Sequence, residues 1–180
     1  MQTQHIGDRM PAFRLPRLDG GGEQSLEELL RERRGALVVF WSGTCAHCVR
    51  YDGYFNEFAG RHPELGFAAI ASRVNESAEQ MRAAVRERGL RFAILRDEGA
   101  GVARQWYSQQ TPRCYLIDAG GHLRYRGAID NFKLATDPEY LEYLEPAVGQ
   151  FLRGEAIGRA DTPSFGCAIE TVYYQLPKQL

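Results

Sequence analysis

The chain is built from blocks of apolar residues whose spacing changes repeatedly between strand-like and helix-like. Residues 36–41, Ala-Leu-Val-Val-Phe-Trp, form an unbroken apolar run of the kind carried by a strand buried on both faces. Tyr51, Tyr54, Phe55 and Phe58 then recur at i, i+3, i+4 and i+7, the stripe of an amphipathic helix. Residues 66–71 read as a second buried strand, and Ser77 opens an Ala/Glu/Arg-rich helix that stops near Gly89. A third strand at 92–95 precedes the turn Asp97-Glu-Gly-Ala-Gly101 and a short helix through Val102, Ala103 and Trp106. Strands at 113–118 and 122–127 flank Gly120-Gly121, which predicts an antiparallel hairpin. A last helix is expected from about 138 to 153, with Leu141, Leu144, Val148 and Leu152 on one face. Ahead of all this, residues 12–25 suggest a short β-ribbon, and Ser25 can cap a helix over 26–33 with Glu27 and Glu28 in its first turn. The order is that of an α/β chain: a mostly parallel sheet, helices on both faces and an antiparallel edge.

Composition narrows the function classes. A length of 180 residues suits one domain. With 44% hydrophobic and 25% charged residues, it has the profile of a globular chain rather than a disordered one. Lys plus Arg number 22 against 23 Asp plus Glu, and the only dense basic run, Arg31 to Arg34, is broken by Glu32. Neither a nucleic acid nor an anionic membrane is therefore an expected partner. The first eleven residues carry no apolar segment of the signal-peptide type, and the longest apolar run is too short to span a bilayer, so a soluble cytoplasmic protein is expected. The four cysteines are too sparse for a disulfide scaffold, which makes their spacing the informative feature.

Cys45 and Cys48 form Cys-Ala-His-Cys directly after the buried strand and at the start of the aromatic helix. A helix N-terminus carries unpaired N–H groups and the positive end of the helix dipole, which favour a thiolate. Cys45 is expected at an exposed turn where it can attack, with Cys48 in reach to resolve a mixed disulfide. His47, when protonated, would add positive charge beside Cys45. A CxxC between strand and helix reads as a dithiol redox site.

With these residues the chain resembles the thioredoxin superfamily, in its redoxin branch of TlpA- and ResA-like thiol–disulfide oxidoreductases and alkyl-hydroperoxide-reductase-like proteins. The resemblance rests on Gly7-Asp-Arg-Met-Pro-Ala-Phe13, Phe40-Trp-Ser-Gly-Thr-Cys-Ala-His-Cys48 and Thr111-Pro-Arg-Cys-Tyr-Leu-Ile-Asp-Ala-Gly-Gly121, and it covers roughly residues 7–153. It implies a three-layer thioredoxin-like fold with a central mixed sheet. One redoxin domain would occupy 1–153, with an N-terminal extension over 1–35 and a C-terminal tail over 154–180 packed on the same domain. It also implies a cis Thr111–Pro112 peptide whose loop meets the cysteines and leaves the Thr111 backbone free for an extended substrate. The implied partners are a disulfide-containing protein or small-thiol client and an upstream thiol reductant or oxidant. No cofactor is expected, since no nucleotide-binding pattern occurs. Thr44 and His47 replace the usual Trp and Pro of the thioredoxin motif, and Val39 replaces its buried Asp. The His resembles the DsbA-type motif and implies a couple more oxidising than the roughly −270 mV of thioredoxin.

Two other function classes start from the same residues. A peroxiredoxin-like peroxidase would place Pro and Thr or Ser ahead of Cys45, where Val38 and Ser42 stand, and its Arg where Pro112 stands, with Arg113 one residue late. A metal-handling module would pair the dithiol with a remote His, His62 or His122, although no second CxxC exists and no metal site is expected. Cys114 alternates within a buried strand as a small hydrophobe. Cys167, in Ser164-Phe-Gly-Cys-Ala-Ile-Glu170, has two readings: a third redox cysteine that folds back on the dithiol, or an apolar position in an added edge strand running through Ala168, Glu170, Val172 and Tyr174.

Overall fold

The computed structural model describes residues 4–170, so Val172 and Tyr174 of the expected tail strand lie outside the described residues. Strands β1 (Arg14–Pro16) and β2 (Glu23–Ser25) form the N-terminal ribbon, with Arg14 opposite Ser25. Helix α1 (Leu26–Leu30) follows under a reciprocal cap, the Ser25 hydroxyl accepting from Glu28 N and the Glu28 carboxylate accepting from Ser25 N. The helix ends earlier than the 26–33 expected, because Glu32 takes a positive φ of 57°.

The central sheet has the order β5-β4-β3-β7-β8. Strands β3 (Gly35–Trp41), β4 (Leu65–Ala71) and β5 (Ile94–Arg96) run parallel. Strands β7 (Arg113–Asp118) and β8 (Leu123–Gly127) add antiparallel pairs on the other side of β3. The sheet is therefore evenly mixed, where the alternation of elements suggested a mostly parallel one. Every residue of β3 is buried, as its unbroken apolar run requires of the middle strand.

Side chains of β3 alternate between two cores. Ala36, Val38 and Phe40 face a cluster with α1 and with Val102 and Ala103 of α5 (Gly101–Gln105). Leu37 and Val39 face a cluster with Phe55 and Phe58 of α3 (Asp52–Arg61) and with Leu144, Ala147 and Val148 of α6 (Leu144–Leu152). Helices therefore cover both faces, and each fully buried large apolar side chain contributes about 1.5–3 kcal/mol. A third cluster joins Trp41, Cys45 and Cys48 to Met81 and Ala84 of α4 (Ala78–Arg88), at the end of β3 where the dithiol sits. Among the described residues no helix is long and apolar enough to cross a membrane.

Two helix expectations change. The cysteine motif and the aromatic stripe lie on separate helices: Cys48 is in α2 (Ala46–Val49), while the stripe lies on α3 and its N-cap Tyr51. The last helix starts at Leu144, not near 138. Residues ahead of it are drawn into side-chain bonds: Asp137 Oδ1 accepts from Glu139 N at 2.8 Å and Asn131 Oδ1 from Leu141 N at 3.2 Å. These bonds offer the backbone an alternative to the helix ladder, and Leu141 is left exposed.

Candidate functional site

The site is assembled at the C-terminal end of β3. After Trp41 the chain turns through Ser42, Gly43 and Thr44, and Cys45 occupies the N-cap position of α2 with an extended backbone. Cys48 N donates to Cys45 O at 3.0 Å, which brings the second cysteine round beneath the first. Both are completely buried. Cys45 is thus not at an exposed turn, as its place in the sequence suggested; chain segments remote in sequence close over it.

One of those segments is the loop before β7. The Thr111–Pro112 peptide is cis, and Thr111, itself buried, lies in the two-residue strand β6 (Gln110–Thr111). As a thiol, Cys45 Sγ can donate to Thr111 O at 3.2 Å. The second segment is the tail. Strand β9 (Cys167–Ala168) pairs antiparallel with β6, placing Cys167 opposite Thr111 and Ala168 opposite Gln110. Cys167 packs half-buried against the cluster that holds both active-site cysteines. Cys167 thus stands in a two-residue strand, shorter than the expected edge strand, and beside the dithiol.

The neighbouring Cys48, then Cys167 and Thr111, favour a thiolate at Cys45 more than burial opposes it, and hold its pKa well below the ordinary thiol range. Burial, reinforced by the negative charge on Cys45, pushes Cys48 well up. Desolvation and Cys45 raise Cys167 as well. One thiolate among neutral thiols is the arrangement these shifts favour.

The His47 ring packs against Phe132, with centroids 4.9 Å apart. The dipole contribution expected from the helix is reduced, because α2 is a single turn. The remote histidines lie with carboxylates instead: His62 Nε2 is 2.8 Å from Glu145 Oε1, and His122 Nδ1 is 3.4 Å from Asp118 Oδ1. Among the described residues no group of three or more His, Cys, Asp or Glu side chains is placed to hold a metal ion. Cys114 is wholly buried between the sheet and α6, where desolvation raises its pKa above the range in which a thiol reacts.

Two buried carboxylates beside the site escape sequence reasoning. Glu76, only 3% exposed, accepts the Thr44 N–H at 2.7 Å, immediately before Cys45. Gly43 makes room for it, since a Cβ there would stand 2.8 Å from Glu76 Oε1. Asp52, at the start of α3, accepts from Trp41 Nε1 at 3.3 Å and lies 3.3 Å from Arg88 Nε, and Arg88 stacks over the Trp41 ring. Desolvation raises the pKa of both acids. In sequence each reads as an ordinary first-turn or pre-cap acid.

Comparison with known proteins follows the same lines. The profile of the AhpC/TSA family matches residues 6–126. The thiol-disulfide oxidoreductase ResA of Bacillus thuringiensis subsp. konkukian is 25% identical over 145 residues, covering 81% of this chain and 82% of that protein. Among solved structures, a hypothetical protein of Sinorhizobium meliloti 1021 superposes with a TM-score of 0.81 at 28% identity, over 93% of this chain and 95% of that one. The thioredoxin domain of a thiol-disulfide oxidoreductase from Bacteroides vulgatus shares the fold, with a TM-score of 0.58 at 19% identity over 67% of this chain and 86% of that one.

Proposed function

Because the chain belongs to the AhpC/TSA family, we propose that it is a thiol–disulfide oxidoreductase that exchanges disulfides with protein or small-thiol clients through Cys45 and Cys48. The observation that carries this reading is the placement of the pair: Cys45 stands at the N-cap of α2 with Cys48 N bonded to its carbonyl at 3.0 Å, and its Sγ is 3.2 Å from Thr111 O in the loop before β7. The Cys45 thiolate attacks one sulfur of a client disulfide, forms a mixed disulfide and releases the other client sulfur as a thiolate. Cys48 then gives up its proton and attacks Cys45 Sγ. The client leaves reduced, and the Cys45–Cys48 disulfide remains. An upstream thiol reductant restores the dithiol, and the reverse sequence oxidises a client. Thr111 and Pro112 form the edge along which the client backbone lies, and the stabilised thiolate favours an oxidising couple, to which a protonated His47 adds positive charge. The test is insulin reduction driven by dithiothreitol. The wild-type protein accelerates it and Cys45→Ser does not; equal rates for the two would overturn the reading.

A further inference from the structure

The strand edge beside the dithiol is already filled, and the chain fills it with its own tail. Besides the β6–β9 pairing, Ile169 N donates to Gln109 O at 3.0 Å, and Val74 N donates to Ile169 O at 3.2 Å. The tail thus bridges the loop ahead of α4 and the loop ahead of β7, crossing the dithiol between them. Ser164 Oγ reaches Gln110 Oε1 at 3.2 Å, Ile169 is 2% exposed in the core, and Glu170 pairs with Arg104. Gly166 lies so close to Thr111 that a Cβ would stand 1.9 Å from Thr111 O. Beneath this closely fitted strand Cys45 is fully covered, with its Sγ 3.2 Å from Thr111 O, and Cys167, opposite Thr111, packs against the cluster that holds it.

An extended peptide recognised by a sheet edge binds through main-chain hydrogen bonds, and its side chains alternate toward and away from the neighbouring site. Residues 167–169 meet this description, and the residue set opposite Thr111, beside the reactive sulfur, is itself a cysteine. We propose that this segment is a built-in client strand, in which Cys167 serves as a third redox cysteine that forms a disulfide with Cys45. The proposal rests on the reading of Cys45 as the attacking sulfur.

The exchange is balanced within the chain. Once a client has left the Cys45–Cys48 disulfide behind, the Cys167 thiol loses its proton and its sulfur attacks Cys45 Sγ. The Cys45–Cys48 bond breaks as the Cys45–Cys167 bond forms, and the proton ends on Cys48. One disulfide replaces another, and no external oxidant or reductant is consumed. An external client reaches Cys45 only after the strand has lifted from β6, so the same segment gates the site.

The test reads the linkage directly. Full-length Cys48→Ser is oxidised with one equivalent of diamide, alkylated, digested without reduction and mapped by mass spectrometry. The expected product is a monomer in which most Cys45 is joined to Cys167. Oxidation only to intermolecular dimers or to diamide adducts of Cys45 would overturn the proposal. In oxidised wild type the Cys45–Cys167 peptide is expected beside Cys45–Cys48, and Cys167→Ser abolishes the first while retaining the second. A link formed in Cys48→Ser but absent from wild type would overturn the exchange step. The outcome is separable from the proposed activity: insulin reduction without the link leaves the function standing and this inference fallen, and the link without insulin reduction does the converse.

Discussion

The carboxylate of Glu76, next to the start of α4, accepts the backbone N–H of Thr44 at 2.7 Å, one residue before Cys45. Because Glu76 is buried, desolvation raises its pKa above that of an unfolded-chain glutamate near 4.3. A carboxyl whose folded-state pKa is raised binds more protons folded than unfolded. Stability is therefore full below the unfolded value and falls as pH rises through the raised one. Glu76→Gln keeps an acceptor for Thr44 N and has no proton to lose. Urea unfolding from pH 4.5 to 7.5 is expected to show a fall in wild-type stability that the Gln variant lacks; identical pH slopes would contradict it. Glu76→Ala leaves the Thr44 N–H without its partner and costs about 1–3 kcal/mol.

The Cys45 thiolate makes a second pH prediction, of opposite sign. Its folded-state pKa is depressed, chiefly by Cys48 and then by Cys167 and Thr111. The stability it contributes to the reduced protein is complete above the unfolded thiol value of about 8.5 and is lost as pH falls toward the depressed value. Cys48, raised by burial, stays a thiol in both states across this window and adds nothing. The oxidised protein has no thiolate at Cys45. The melting temperature of the reduced form is thus expected to gain on that of the oxidised form between pH 5 and pH 8. A constant difference would mean that the thiolate is not preferentially held in the fold.

Much of this arrangement is legible in the sequence, for local reasons. The β3 run, the Ser77 cap, the CxxC and the Thr111–Pro112 pair all declare themselves within a few residues, and the hairpin at Gly120-Gly121 does so by its turn. The break between α2 and α3 is not legible, because neither glycine nor proline stands at Arg50 or Tyr51 to mark it. Nor is the start of α6, which depends on Asn131 capturing Leu141 from across a loop. The meeting of Cys45 with Cys167 is a tertiary event between a one-turn helix and a two-residue strand, neither long enough to carry a period. Glu76 is hidden by its own neighbour: beside a capping serine, an acid reads as part of a helix start.

Cys114 separates packing from redox chemistry. It is wholly buried in the cluster with Leu37, Leu116 and Tyr125 and takes no part in the dithiol site. Cys114→Ser places a hydroxyl in this apolar setting and is expected to cost about 1–3 kcal/mol in urea unfolding, with insulin reduction unchanged. Cys114→Ala loses less. A fall in turnover that exceeded the fall in folded fraction would show that Cys114 communicates with the dithiol.

Gly166→Ala tests the cover over Cys45 without touching a sulfur. The added Cβ would meet Thr111 O at 1.9 Å, so β9 cannot keep its place on β6. Overpacking of this kind costs about 1–3 kcal/mol. If alkylation of Cys45 proceeds from the population in which the tail has opened, that cost passes directly into the rate. Since 1.4 kcal/mol is tenfold in an equilibrium, iodoacetamide should modify Cys45 about tenfold faster in the variant. Cys114 supplies the internal control, because its continued protection shows that the central sheet has stayed folded while the tail has moved. An unchanged Cys45 rate with Cys114 protected would mean that Thr111 and the α2 turn alone bury the nucleophile. A client would then have to displace the β6 loop rather than the tail.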